Sequence, residues 1–407
     1  MGPVDQLTPA AAARPAGHGR LMVNLVAQLA FGLLAMTICL PSMQDWPATF
    51  SASQAAVQLT FSGYVAAYGG LQLVYGAVSD RIGRRPVLLF GLVLAVAGSL
   101  LAAVASDLPL LVAGRVVQGA GAAAGMVTVR AMVQDLFTGA ERTRMMAFIG
   151  MSMGVCPPVA TLLGGQLHVR LGWQANFVLM AVVAAVLLAA AWLGVPSTTQ
   201  PARPHDGAWR ALVAGYGRLV REPAFLLYVA ILASMTATFY AFLGGAPIVL
   251  KSYGVTPERV GWYIMCVPLA YIGGNLLTTR LVRWVRDRTL MRLGQASTIG
   301  GISLVLLLGL GGWGSPLTLA LPLLLLGIGH GLLAPPTLAG TVGVVPALAG
   351  SAAAVGGLVQ QLVGGLAALG VGMVSHDGQV ALAAMMLGWT ALGLAAQALL
   401  RHPARRT

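Results

Sequence analysis

Twelve runs of about 20 predominantly apolar residues follow one another along this chain, and a roughly 30 Å hydrocarbon slab is the solvent that such runs suit. They are expected at 21–42, 54–78, 87–106, 109–136, 144–168, 174–195, 224–250, 258–281, 290–312, 316–342, 350–374 and 379–400. In lipid every backbone N–H and C=O must be satisfied within the segment, so each run predicts a helix. Charged residues make up 9% of the chain, far below the roughly 25% of soluble domains. The eleven acidic residues fall almost entirely at the edges of the apolar runs. The stretch before Leu21 lacks the charged, apolar and cleavage-site order of a signal peptide, so the first run is expected to be a retained helix.

A net charge of +13 could indicate nucleic acid, but the Arg residues sit in short loops and form no basic face with interleaved aromatics, so no nucleic-acid partner is expected. Counted by loop, nineteen basic residues lie on the side of the termini and three, Arg170, Lys251 and Arg259, on the other. The excess predicts both termini in the cytoplasm. Arg115 and Arg130 remain, both inside the fourth run. Residues 196–223 form the longest hydrophilic stretch, with Pro196, Pro201 and Pro204 before an amphipathic Trp209–Arg221 segment. The expected organisation is a cytoplasmic tail at 1–20, a six-helix bundle at 21–195, a cytoplasmic linker at 196–223, a second six-helix bundle at 224–400 and a basic tail at 401–407. The halves look related: Asp80-Arg81-Ile-Gly-Arg84 ends helix 2 and Thr279-Arg280-Leu-Val-Arg283 ends helix 8, the acid being lost in the second copy. Cys39, Cys156 and Cys266 lie far apart within apolar runs and show no metal spacing.

Three motifs carry further meaning. The helix 2–3 loop reads Gly76-x-x-x-Asp80-Arg81-x-Gly83-Arg84-Arg85, in which glycines permit close approach and the charges can latch neighbouring helices. Helix 4 reads Arg115-Val-Val-Gln118-Gly119-Ala-Gly121, and an Arg at that depth needs a partner or a wet cavity. Helix 5 carries Gly150, Gly154, Pro157, Pro158, Gly164 and Gly165, with Thr161 between them. On helix 2, Tyr64, Tyr68, Gln72 and Tyr75 share one face, a polar-aromatic stripe better suited to a cavity than to lipid.

These segments resemble motifs A, B and C of the major facilitator superfamily, motif C being the antiporter pattern, in which members usually carry Pro where Thr161 stands. With Leu40-Pro41, Ser62-Gly-Tyr64, Gly244-Gly-Ala-Pro247 and Ala349-Gly350-Ser351, the chain from about 21 to 400 is similar to drug:H+ antiporters of the bicyclomycin/chloramphenicol-resistance (Bcr/CflA) type. The resemblance implies an all-α membrane protein with the major facilitator fold, its 12 transmembrane helices in two pseudo-symmetric six-helix bundles. It implies export of small, largely apolar compounds in exchange for protons from a multi-pass protein of the inner (plasma) membrane. Export or uptake of one endogenous metabolite is the alternative.

Relatives of this type often carry an acid in helix 1 where this chain has Thr37, so the proton carrier must be sought elsewhere. The candidates are His330 in mid-span of helix 10, Asp135 at the end of helix 4, and Asp45. The unperturbed pKa of a histidine, about 6.5, suits a proton switch. Asp135 is expected, by resemblance, to join Asp80 and Arg84 in an inner gate, and Asp45 to be solvated at the outer face. A cavity is expected to be lined by Phe31, Tyr64, Tyr68, Arg115, Gln118, Phe239, Tyr240, Tyr271, His330 and Gln361, as helix position and polarity suggest. The expected partners are a small-molecule substrate, protons and the lipid bilayer, with the protein a monomer. An enzyme, such as a membrane-embedded transferase, would need an Asp- or His-rich cluster that the sequence lacks, and no cofactor or metal is expected.

Overall fold

The computed structural model describes residues 18–196, 215–374 and 378–400. The two tails and most of the linker, including the Trp209 end of the amphipathic segment, lie outside these residues. We number the long helices α1 (His18–Thr37), α2 (Gln54–Ile82), α3 (Arg84–Ala103), α4 (Leu108–Leu136), α5 (Gly139–Leu171), α6 (Gln174–Gly194), α7 (Pro223–Ser252), α8 (Pro257–Leu281), α9 (Asp287–Leu310), α10 (Pro316–Gly343), α11 (Ala349–Val371) and α12 (Gln379–Leu399). Among the described residues, eleven spans are long and apolar enough to cross a membrane. The twelfth expected span, α2, has ample length at 29 residues, but its polar stripe makes it less apolar than its neighbours.

The packing repeats with a period of six helices. In the first half α3 packs on α4, α2 on α4, α3 on α6, and α1 on α4, α5 and α6. Adding six to every number gives the contacts of the second half: α9 on α10, α8 on α10, α9 on α12, and α7 on α10, α11 and α12. The halves meet at two seams, α2 against α11 and α5 against α8, which the same operation interconverts. Glycines recur at these contacts, since lipid supplies no hydrophobic drive and helices gain by close approach.

Three local breaks shape the ends. α1 stops at Thr37, and a turn through Cys39 and Pro41 leads into a short helical stretch at Ser42–Gln44. Pro41 has no N–H to continue the helix. The α2–α3 turn is made by Gly83 at φ 101°, a conformation that penalises a side chain. Asp107 caps α4 by accepting the Leu110 N–H at 2.8 Å.

Candidate functional site

Arg115, eight residues into α4, is fully buried within the first half. Its guanidinium donates to the carbonyls of Ala35 (2.7 Å), Met36 (3.2 Å) and Thr60 (3.2 Å), and to the Gln118 side chain. Ala35 and Met36 belong to the last turn of α1, whose carbonyls have no intrahelical partner and carry the negative end of the helix dipole. The cation therefore caps α1 from inside the bundle, and it also stands 4.2 Å from the Tyr64 ring centroid. Gln118 passes the network to Ser99 of α3 at 2.8 Å. Thr37, in place of an acid, returns its hydroxyl to Leu33. The arginine thus needs neither a carboxylate nor a wet cavity.

On α2, Tyr64 donates to the Gly32 carbonyl at 2.7 Å and stacks on Tyr68 at 5.9 Å. The Tyr68 hydroxyl is buried and makes no hydrogen bond in the structure. Phe31 is buried on α1 beside Gly32. A second cluster straddles the halves: Tyr240 of α7 meets Phe61 of α2 edge-on at 5.7 Å and donates to Gln361 of α11 at 2.9 Å. Phe239 flanks Tyr240 at 6.1 Å. Tyr271 and Gln361 are half-buried. His330 is buried on α10, one in a stripe with Ala334, Thr337 and Thr341 spaced at four, three and four residues. The structure therefore ties Tyr64, Tyr68, Arg115 and Gln118 together in one half and joins Phe239, Tyr240 and Gln361 at the seam, while the side chains of Phe31, Tyr271 and His330 make no hydrogen bond or ring contact with either group among the described residues.

The seams are shut at one end of the molecule. At α5–α8, Gly154 abuts Ile272, Gly165 abuts the Pro257 carbonyl and Gly261 abuts Leu162, while Gly164 abuts the Ile38 carbonyl of the α1 turn. At α2–α11, Gly69 abuts Gln361 and Gly372 abuts Ala55. Gln58 also donates across to the Gly244 carbonyl at 2.9 Å. Gly70, Gly150, Gly273 and Gly357, one on each seam helix, have no atom within 4 Å of where a side chain would begin. Pro157 and Pro158 interrupt the α5 ladder, and the Thr161 hydroxyl bonds the Pro157 carbonyl there at 2.6 Å.

At the shut end an ion pair bridges the halves. Lys251, at the end of α7, donates to Asp45 at 2.9 Å and to the Gln44 carbonyl, while Gln44 donates to the Pro247 carbonyl. His168 of α5 holds the other Asp45 oxygen at 3.0 Å. Asp45 is thus tied rather than simply solvated. Burial opposes its charge, but the hydrogen bonds from Lys251 and His168, with their positive charges, outweigh it and hold the carboxyl below its ordinary value of 3.8. Gln44 and His168 were not singled out from sequence, and Lys251, the only lysine of the chain, was read there only as a loop charge opposite the termini.

At the opposite end, Arg84 pairs with Asp80, with Asp135 at 3.3 Å and with Ser79 at 2.7 Å. Arg85 donates to the Trp192 carbonyl and lies over its ring. Gly76 has only Val127 near it, and Arg81 is exposed. Among the described residues no group of His, Cys, Asp and Glu could hold a metal.

Comparison with known proteins agrees with this architecture. Residues 22–368 match the sequence pattern of the Major Facilitator Superfamily. The chain is 30% identical over 386 residues to Multidrug resistance protein D of Escherichia coli (strain K12), covering 92% of this chain and 93% of that protein. It is 28% identical to the Chloramphenicol resistance protein of Pseudomonas aeruginosa, covering 73% and 70% respectively. A solved structure of a D-xylose-proton symporter superposes with a TM-score of 0.73 at 16% identity, covering 93% of this chain and 96% of the other.

Proposed function

This chain belongs to the Major Facilitator Superfamily, and from that premise we propose that it exports small, largely apolar organic compounds in exchange for protons by alternating access. It is a multi-pass membrane transporter; substrate class, direction and coupling are our reading. The observation that carries it is the pair of equivalent seams between the halves, held closed beside Asp45 by glycine contacts and an ion pair. Rocking one half on the other about such seams exposes a central site to each side in turn. The excess of arginine beside Arg84 supports placing that end in the cytoplasm, opposite the closed end. The names of the drug-resistance relatives support an antibiotic-like cargo.

The surroundings of the seam favour a neutral cargo. Tyr64, Tyr68, Phe61, Phe239 and Tyr240 offer aromatic area, and Gln361 and the Tyr68 hydroxyl offer polar anchors. The acids named as candidates lie at the ends: Asp135 is engaged by Arg84 and Asp45 by Lys251. Those two suit gating, which leaves His330 as our assigned proton carrier.

Everted vesicles with an imposed pH gradient test the whole reading. Wild type is expected to accumulate chloramphenicol-like compounds and to release protons when they are added. His330→Ala is expected to bind them but lose the proton signal. An unaltered signal in that variant removes His330 as carrier, and absence of gradient-driven uptake of any such compound by wild type removes the export reading.

A further inference from the structure

The turn joining α8 to α9 is the second copy of the Gly76–Arg85 motif, and the two copies have diverged in a way that points to a ligand. In the first, Arg84 is satisfied by Asp80, Asp135 and Ser79 around the positive-φ Gly83. In the second, Thr279 stands where Asp80 stood, and its hydroxyl is turned back on the Leu276 carbonyl at 2.7 Å. Val282 replaces Gly83 and adopts ordinary helical angles at φ −56°. The acids have gone, but the arginines have multiplied.

Between 280 and 292 the chain carries Arg280, Arg283, Arg286, Arg288 and Arg292 against a single acid, Asp287. All five arginines are exposed, and among the described residues their side chains make no ion pair or hydrogen bond. Trp284 projects from the middle of the cluster, 87% exposed, with Leu276, Leu277 and Val282 exposed beside it. A Trp at the end of a membrane helix seats its ring at the headgroup level, and guanidinium groups bind phosphate oxygens in bidentate fashion. In a bilayer, the exposed apolar residues of such a helix end would meet acyl chains and its cations would meet phosphates.

We propose that the α8–α9 turn is a docking surface for anionic phospholipid, with Arg280, Arg283 and Arg286 holding the headgroup phosphate and Trp284 seated beside the glycerol. The loss of the motif's acids is what frees these arginines. An anionic lipid neutralises charge that the first half neutralises internally, so lipid composition becomes part of the second half's stability.

The test uses purified full-length protein in neutral detergent, titrated with phosphatidylglycerol or phosphatidylcholine and followed by melting temperature and native mass spectrometry. Phosphatidylglycerol is expected to raise the melting temperature and survive as bound adducts, and phosphatidylcholine to do neither. Arg280→Gln/Arg283→Gln/Arg286→Gln is expected to weaken phosphatidylglycerol binding roughly 100-fold, about a factor of 5 per charge. Arg170→Gln/Arg259→Gln, at the other end, is expected to keep it. Equal binding by the triple variant and wild type overturns the proposal, as does an equal stabilisation of wild type by inorganic phosphate alone. If the triple variant does not fold, wild type in 1 M salt, where screening shortens to about 3 Å, supplies the answer. A phosphatidylglycerol-specific increment that survives that salt overturns the proposal, and its loss supports it.

Discussion

Arg115 shows how a buried charge can be held without a counter-ion. Three backbone carbonyls, one amide oxygen and the end of a helix dipole supply the field that an acid would supply. The position of the arginine was legible because a charge inside an apolar run has few tolerable surroundings. Its acceptors were not, because every residue carries a carbonyl and nothing in sequence marks the two that α1 leaves unpaired. Removing the guanidinium strands these acceptors, at about 1–3 kcal/mol for each group left unsatisfied. Arg115→Ala is therefore expected to lower the melting temperature of the purified protein markedly. Arg115→Lys, with three donors in place of five, should fall between it and wild type. A melting temperature unchanged in Arg115→Ala would remove the capping role.

At the scale of the element, the motif C glycines of α5 divide their work. Gly154 and Gly165 bring α8 close, and Gly164 admits the carbonyl of Ile38 where α1 turns. Even a methyl group at Gly164 would overlap that oxygen, and backbone cannot move aside as a flexible side chain can. Gly164→Ala is expected to push α5 away from the turn, loosen the shut end and impair transport. Gly150→Ala, which faces open space, is expected to be neutral in the same assay. Equal activity of the two variants would show that the seam does not depend on this contact. The glycine pattern was readable as close packing, but not its partners. Helix periodicity tells which residues share a face and not which helix that face meets.

The whole molecule is held shut at one end by groups far apart in sequence. Asp45 and Lys251 are separated by 206 positions and lie in different halves, so no local pattern could join them. The twelve apolar runs, by contrast, read directly from hydropathy, since the demand that lipid makes is imposed segment by segment. The sign of the pH effect follows from the lowered carboxyl. A group depressed in the shut state stabilises that state fully above its ordinary value of 3.8, and the contribution fades as pH falls through the depressed value. Spin labels at Leu171→Cys and Trp313→Cys, both exposed and in opposite halves, would report the separation in a background without native cysteines. Wild type is expected to stay close at neutral pH and to widen only in strong acid. Asp45→Asn should widen at neutral pH, and the exchange Asp45→Lys/Lys251→Asp should restore part of the closure. An Asp45→Asn protein with the wild-type separation at every pH would mean the ion pair is not a latch. The α1 turn has one more consequence. Cys39 lies in that turn, fully buried between the arginine-capped helix end and the Asp45–Lys251 bridge. On the proposed alternating access, the molecule thus carries a native stopwatch, because the rate at which a maleimide reaches this thiol clocks how often the Asp45 end opens.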